Sequence, residues 1–183
     1  MKKVLILGSN GFVAKHLINL LEHKSYEYMT LGKMNLDLTN FQQCRDILSK
    51  IDLNDFTIIF LSALRPSVGE DLDITIKSLS MIRNLVVNID TKILKQFIYV
   101  SSDGVYPYSD KILTEKSETN PGSFYGNMHL LREKFLQNII SADKLTIFRP
   151  CAIYGSKETI FSYGINKFVR DANNENKIYL FGK

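Results

Sequence analysis

A glycine-bounded turn, Gly8-Ser9-Asn10-Gly11, lies between an apolar run at residues 4–7 and a stretch with helical spacing that starts at Phe12. Strand, tight turn and helix in that order make a cradle for a pyrophosphate. Gly8 permits the turn, Gly11 lets backbone approach the phosphates, and the free N–H groups at the helix start stabilise their charge. Ala14 takes the third small-residue place, where helix and strand pack closely. Further on, Ser101-Ser102 follows the strand-like residues 97–100, and Tyr125 and His129 stand four apart on a helical stretch, hence on one face. All three features fall where an open parallel sheet would gather them, at the carboxyl ends of its strands. Each alone is a weak signal.

The elements that must position them alternate. Residues 4–7, 28–31, 57–61, 97–100 and 145–148 read as strands, the third a continuous apolar run of the kind a parallel sheet buries. Between them Val13, His16, Leu17, Leu20 and Leu21 share one helical face, Thr39-Asn40 can cap a helix at 41–48, and Leu72, Ile76, Leu79, Ile82, Val86 and Ile89 recur at helical spacing. A segment at 123–140 repeats the pattern with a stripe of Leu131, Phe135 and Ile139. Repeated βα alternation with few hairpin signals predicts an α/β fold, a doubly wound, Rossmann-like parallel sheet with helices on both faces. After Gly155 the pattern loosens. Residues 160–169 suggest a helix, 171–177 an asparagine-rich loop and 177–181 a short strand, so residues 1–155 read as the nucleotide-binding domain and 156–183 as the start of an incomplete lobe of a longer protein.

Composition excludes several classes. The 183 residues fit one domain, and a formal charge of +4 with scattered lysines lacks the footprint of a nucleic-acid partner. The apolar run after Met1-Lys2-Lys3 stops at Gly8, too short for a secretory core, and residues 58–64 are too few to span a bilayer. Cys44 and Cys151 have no metal-ligand spacing and make no disulfide framework. A cytoplasmic protein with reduced thiols, no membrane partner and no metal is the expectation.

A dinucleotide cradle of this type usually places an acidic residue about twenty positions on, to take the ribose hydroxyls. The corresponding region reads Thr30-Leu31-Gly32-Lys33. With no carboxylate and with Lys33 available for a 2′-phosphate, NADP is favoured slightly over NAD; the plain alternative for Lys33 is a solvated turn. Asp37 is placed to approach the adenine or to cap the next helix.

The ordered set Gly8 to Ala14, Leu36-Asp37-Leu38-Thr39, Ser101 to Tyr106, Tyr125 with Glu133, and Arg149-Pro150 followed by Ile153-Tyr154-Gly155 resembles the extended short-chain dehydrogenase/reductase family of nucleotide-sugar epimerases, dehydratases and reductases. That resemblance implies hydride transfer between a sugar carbon and a nicotinamide, with Tyr125 giving or taking the hydroxyl proton and Ser102 hydrogen-bonded to the same oxygen. It further implies cofactor contacts at Gly8, Asn10, Gly11, Phe12, Val13, Lys33, Asp37, Leu38, Ser62, Ala63, Tyr125, His129 and Pro150. A nucleotide-sugar substrate and a homodimer built on the two long helices are also implied.

Two departures from the family pattern shape the reading. The lysine expected four residues after the tyrosine is His129, and an unperturbed histidine is only about one quarter charged at pH 7, so a working tyrosine with a titrating helper and a strongly pH-dependent turnover is one outcome. A cofactor-binding module with little catalysis, and ordinary packing, are the others. Arg132, seven residues beyond Tyr125, reads as a poor direct replacement. The acidic pair of the dehydratases is reduced to Asp103-Gly104, which favours an epimerase or a ketosugar reductase, with Asp103 left as a proton-assisting group or a turn residue.

Overall fold

The computed structural model describes residues 3–64, 72–155 and 164–178. Five strands, β1 (Lys3–Leu7), β2 (Glu27–Leu31), β3 (Phe56–Phe60), β4 (Gln96–Val100) and β5 (Leu145–Phe148), form one parallel sheet in the order β2-β1-β3-β4-β5. The register pairs Leu7 with both Leu31 and Phe60, Phe60 with Tyr99, and Val100 with Phe148. The carboxyl ends therefore lie in one row. Strand order reverses between β1 and β3, and a ligand crevice opens at such a point in doubly wound sheets.

Helices α1 (Phe12–His23), α2 (Phe41–Leu48), α3 (Leu72–Val86) and α4 (Phe124–Ile139) cover the sheet, as the alternation predicts. One core joins Val4, Ile6, Ala14 and Leu21, so α1 packs on one face. The larger core joins Leu5, Leu7, Ile58, Phe60, Phe97 and Tyr99 to Cys44, Leu48, Ile82, Leu85 and Leu136, which places α2, α3 and α4 on the other. Alternate residues of β1 thus feed opposite cores, the period of two that a central strand requires. Asn40 caps α2, its side chain accepting from Gln43 N, where Thr39-Asn40 was read as a helix start.

Two expectations change. The stripe of Leu131, Phe135 and Ile139 on α4 lies outward, while Met128, His129, Arg132, Glu133 and Leu136 are buried. The helix turns its polar side in because that side finds partners there. The predicted loop at 171–177 is instead the end of α5 (Gly164–Glu175), where Asp171 pairs with Lys167 one turn earlier and with Arg170, and Asn176 at φ 53° stops the helix. Side chains four apart on a helix meet, which the asparagine content obscured. The chain divides into compact units, Met1–Pro150 and Cys151–Lys183. Residues 160–163 and 179–181 of the expected helix and strand lie outside the described residues. Among described residues no helix is long and apolar enough to cross a membrane, and no cluster of His, Cys, Asp or Glu could hold a metal ion.

Candidate active site

The glycine turn leaves β1 at Gly8, whose φ of 93° is a left-handed conformation suited to glycine. Its neighbour imposes a second demand. A Cβ on Gly8 would stand 2.7 Å from Ser62 Oγ and 2.9 Å from Ser62 N, so the turn lies directly against the residues that follow β3. Gly8 N donates to Leu31 O (2.9 Å), fastening the turn to the end of β2. Gly11 behaves differently: its φ is −71°, and a Cβ there would meet only Gly8 O, at 3.5 Å. Neither backbone nor neighbouring protein requires glycine at 11, so its bareness leaves room for a ligand. No side chain caps α1, so the backbone N–H groups of Phe12 and Val13 sit at an open helix start.

Beyond the other strands the expected residues take different places. Lys33 is exposed just after β2. Asp37 Oδ1 accepts from Thr39 N (2.9 Å) and Thr39 Oγ1 (2.6 Å), bonds that hold its carboxyl below the usual range while it closes the turn before α2. Leu38 is a core residue whose carbonyl accepts from Asn84 Nδ2 (2.9 Å). Ala63 is exposed, and the Pro150 carbonyl accepts from Asp103 N (3.1 Å), tying the end of β5 to the segment after β4.

That segment is a 3₁₀ turn, Asp103–Val105. Ser102 Oγ accepts from Gly104 N (3.1 Å) and donates to Asp103 Oδ1 (3.1 Å). A Cβ on Gly104 would contact Ser102 Oγ at 3.4 Å and Tyr125 Cδ1 at 3.6 Å, so serine and tyrosine flank the same glycine. The close approach depends on Gly126. A Cβ on Gly126 would stand 2.1 Å from Gly104 O. Ser123 Oγ caps α4 by accepting from Gly126 N (3.0 Å), which fixes where Tyr125 leaves the helix.

Behind Tyr125 lies His129, edge to face at 4.6 Å between ring centroids and only 1% exposed. Its Nδ1 shares a hydrogen bond of 2.7 Å with the Tyr99 hydroxyl of β4. A neutral imidazole that accepts the Tyr99 phenolic proton at Nδ1 carries its own proton on Nε2. Nε2 is buried and lacks a partner. Burial, and then the Arg132 charge, push the His129 pKa down to about 3. Of the three outcomes open for this position, burial disfavours a helper that titrates near neutrality, because it keeps the imidazole neutral there.

Two clusters missed in the sequence complete the shell. Glu133 accepts from Ser101 Oγ (2.5 Å) and from Arg149 Nε (3.0 Å) and Nη2 (2.6 Å), while Arg149 Nη1 reaches the Tyr106 hydroxyl (2.7 Å). The pairing holds Arg149 firmly protonated. Arg132 donates through Nε (2.9 Å) and Nη2 to Ser78 O, and through Nη1 to Ser62 O (2.8 Å). Arg149 and Glu133 were visible as motif residues, but only the fold reveals their pairing.

The parallel sheet with a glycine turn at its point of reversal places the molecule among Rossmann-like α/β proteins. Within them the chain belongs to the NAD dependent epimerase/dehydratase family, which it matches over residues 4–183. No curated protein matches it. Among solved structures it is similar to dTDP-4-dehydrorhamnose reductase from Bacillus anthracis in complex with NADP, with TM-score 0.75 and 24% identity over 94% of this chain and 60% of that one. ADP-L-glycero-D-manno-heptose-6-epimerase from Helicobacter pylori gives TM-score 0.79 and 19% identity over 97% and 64%. UDP-glucuronic acid 4-epimerase from Bacillus cereus in complex with NAD gives 0.69 and 19% over 92% and 62%. At these identities the likeness shows the fold, and the chain spans less than two thirds of each of these structures. The open start of α1, the bare Gly11 and the orphaned Nε2 of His129 are features that fit a dinucleotide.

Proposed function

We propose that the chain is the cofactor-binding part of an NAD(P)-dependent nucleotide-sugar epimerase or ketosugar reductase. The observation that carries this reading is the junction of Ser102, Gly104 and Tyr125 at the carboxyl end of β4, beside the glycine turn's own row of strand ends. The dinucleotide, when bound, supplies or accepts the hydride. The Gly8 turn and the N–H groups of Phe12 and Val13 hold its phosphates, with Asn10 beside them, and Ser62 and Ala63 line the next strand end. Lys33, exposed after β2 where the family's ribose-reading carboxylate would stand, supports NADP over NAD. His129 presents its Nε2 proton to a ribose hydroxyl and thereby orients the reacting ring. Tyr125 gives its phenolic proton to the oxygen of the carbonyl being reduced, or takes it back in the reverse direction, and Ser102 hydrogen-bonds that same oxygen. Asp103 accepts the single Ser102 proton in the free protein, and the substrate oxygen takes its place as acceptor in the complex.

The residues after Pro150 begin the lobe that grips the nucleotide-sugar. A homodimer through the long helices is supported by the outward apolar side chains Leu72, Ile76, Leu131 and Phe135. A second reading, a dinucleotide-binding module with little turnover, is favoured by one observation: the neutral His129 supplies no charge to Tyr125.

Titration with NADPH and NADH, followed by addition of candidate nucleotide-sugars, separates the two. On the enzyme reading both steps give a signal, NADPH binds more tightly, and Tyr125→Phe retains cofactor binding while losing about 10²- to 10⁴-fold in turnover, the usual contribution of a positioned acid or base. Cofactor binding with no turnover of any nucleotide-sugar by the full-length protein would leave the module.

A further inference from the structure

Arg132 is a cation without an anion. Its guanidinium is wholly buried and, among the described residues, forms no ion pair with a carboxylate; its donors end on the carbonyls of Ser78 and Ser62, and its plane lies over the Phe60 ring at 5.3 Å. Carbonyl dipoles solvate a charge but do not cancel it. Glu133, the next residue, is matched by Arg149. A net positive charge therefore remains inside the helix that carries Tyr125, where an uncompensated ion is costly to keep.

The phenol of Tyr125 is the group in this cluster that the reaction would leave negative. Its ring meets His129, the His129 Nδ1 shares a hydrogen bond with the Tyr99 hydroxyl, the Tyr99 ring meets Phe60, and Phe60 lies under the Arg132 guanidinium, so a run of uncharged side chains links the Tyr125 ring to the cation. A negative charge on the phenol and the positive charge of Arg132 attract. We propose that Arg132 supplies the fixed positive charge that favours the Tyr125 phenolate, with His129 and Tyr99 as the uncharged spacer between them. This inference rests on the reading of Tyr125 as the proton-transferring group. Arg132 touches neither substrate nor cofactor and acts as a positioning residue: when the Tyr125 O–H bond breaks and the proton passes to the sugar oxygen, the charge left on the phenol stands opposite a cation already in place. The two-turn separation that counted against Arg132 in the sequence weakens the effect of its charge without removing it.

The ionisable groups around Tyr125 are His129 and Arg132 on its own helix, Tyr99 from β4 and Asp103 from the 3₁₀ turn, with Glu133 beyond them neutralised by Arg149. The test follows tyrosine ionisation by NMR on ring-labelled protein without substrate, the Tyr125 signal being assigned from Tyr125→Phe. Removing the charge with Arg132→Met raises the Tyr125 midpoint by about one pH unit, from Coulomb's law at an effective dielectric of about 20 and the roughly 10 Å that seven helical residues span. Arg132→Lys holds it within about 0.3 unit on the same basis. An unmoved midpoint in a folded Arg132→Met protein overturns the inference.

Should Arg132→Met fail to fold, Arg132→Gln decides, because its amide can still donate to the carbonyls of Ser78 or Ser62 but carries no charge. The Tyr125 midpoint then rises by about one pH unit, as for Arg132→Met. An unmoved midpoint in the folded Arg132→Gln protein overturns the proposal. Wild-type turnover by Tyr125→Phe would sink the functional reading instead. An inactive Tyr125→Phe alongside an unmoved Arg132→Met midpoint would sink only this inference.

Discussion

The two faces of α4 reverse the usual arrangement. Leu131, Phe135 and Ile139 are 44%, 44% and 46% exposed, whereas His129, Arg132 and Glu133 are 1%, 0% and 1% exposed. An apolar stripe normally marks the side of a helix that faces the core. Here the inner side carries three polar residues beside Met128 and Leu136 because the strand ends it passes offer partners: Tyr99 in β4, Ser101 after it, Ser62 after β3, Arg149 after β5. Within that inner side the two ionic groups also differ. Glu133 is neutralised by a forked guanidinium and serves to fasten strands, while Arg132 is solvated by carbonyls and keeps its field. Adjacent buried charges on one helix thus divide between holding the architecture and setting the electrostatics.

The largest effect should come from breaking the neutral pair. Glu133→Ala leaves Arg149 and Ser101 without their acceptor and is expected to destabilise the protein by about 3 kcal/mol, at the lower end for a buried pair because Arg149 is partly exposed. Urea denaturation measures it, and a loss below about 1 kcal/mol, the range of surface pairs, would place Glu133 among them. A smaller effect concerns the neutral histidine. Its folded pKa of about 3 lies below the unfolded value of about 6.5. The unfolded state therefore binds the extra proton first, and this contribution to stability is complete above about pH 6.5 and is lost as pH falls toward 3. Between pH 6 and 4 the loss approaches about 2 kcal/mol. His129→Gln should flatten that part of the denaturation midpoint against pH; an unchanged slope would show the imidazole to be hydrated. The smallest effect belongs to the outer side. Phe135→Ser should change monomer stability by no more than about 0.5 kcal/mol, yet weaken self-association in sedimentation experiments if the long helices pair. A monomer destabilised by several kcal/mol would return Phe135 to the core.

The architecture was largely legible because each element states its period. The runs at 4–7 and 145–148 are strands and Phe41–Leu48 is a helix within a residue of the expectation, since alternation and a capping asparagine act locally. The inward side of α4 was not legible, because hydrophobic spacing carries no information about hydrogen-bond partners thirty to seventy residues away, such as Tyr99 for His129 or Ser62 for Arg132. The charge state of His129 belongs to the same class: a reference pKa near 6.5 describes a solvated ring, and only burial reveals otherwise. Asp37 is the opposite case. Its carboxylate bonds to Thr39, two residues away, a local turn of the kind sequence neighbours make legible.

The even register of the sheet has a practical consequence. Since Leu31, Leu7, Phe60, Tyr99 and Ile147 line up across it, every connection at the amino ends of the strands is about a strand length, roughly 16 Å for five residues, from the crevice. The bends at Ser25 and Asp55 belong to that remote rim. Fluorophores, affinity handles or immobilisation linkers grafted there would leave the chemistry at the opposite rim undisturbed.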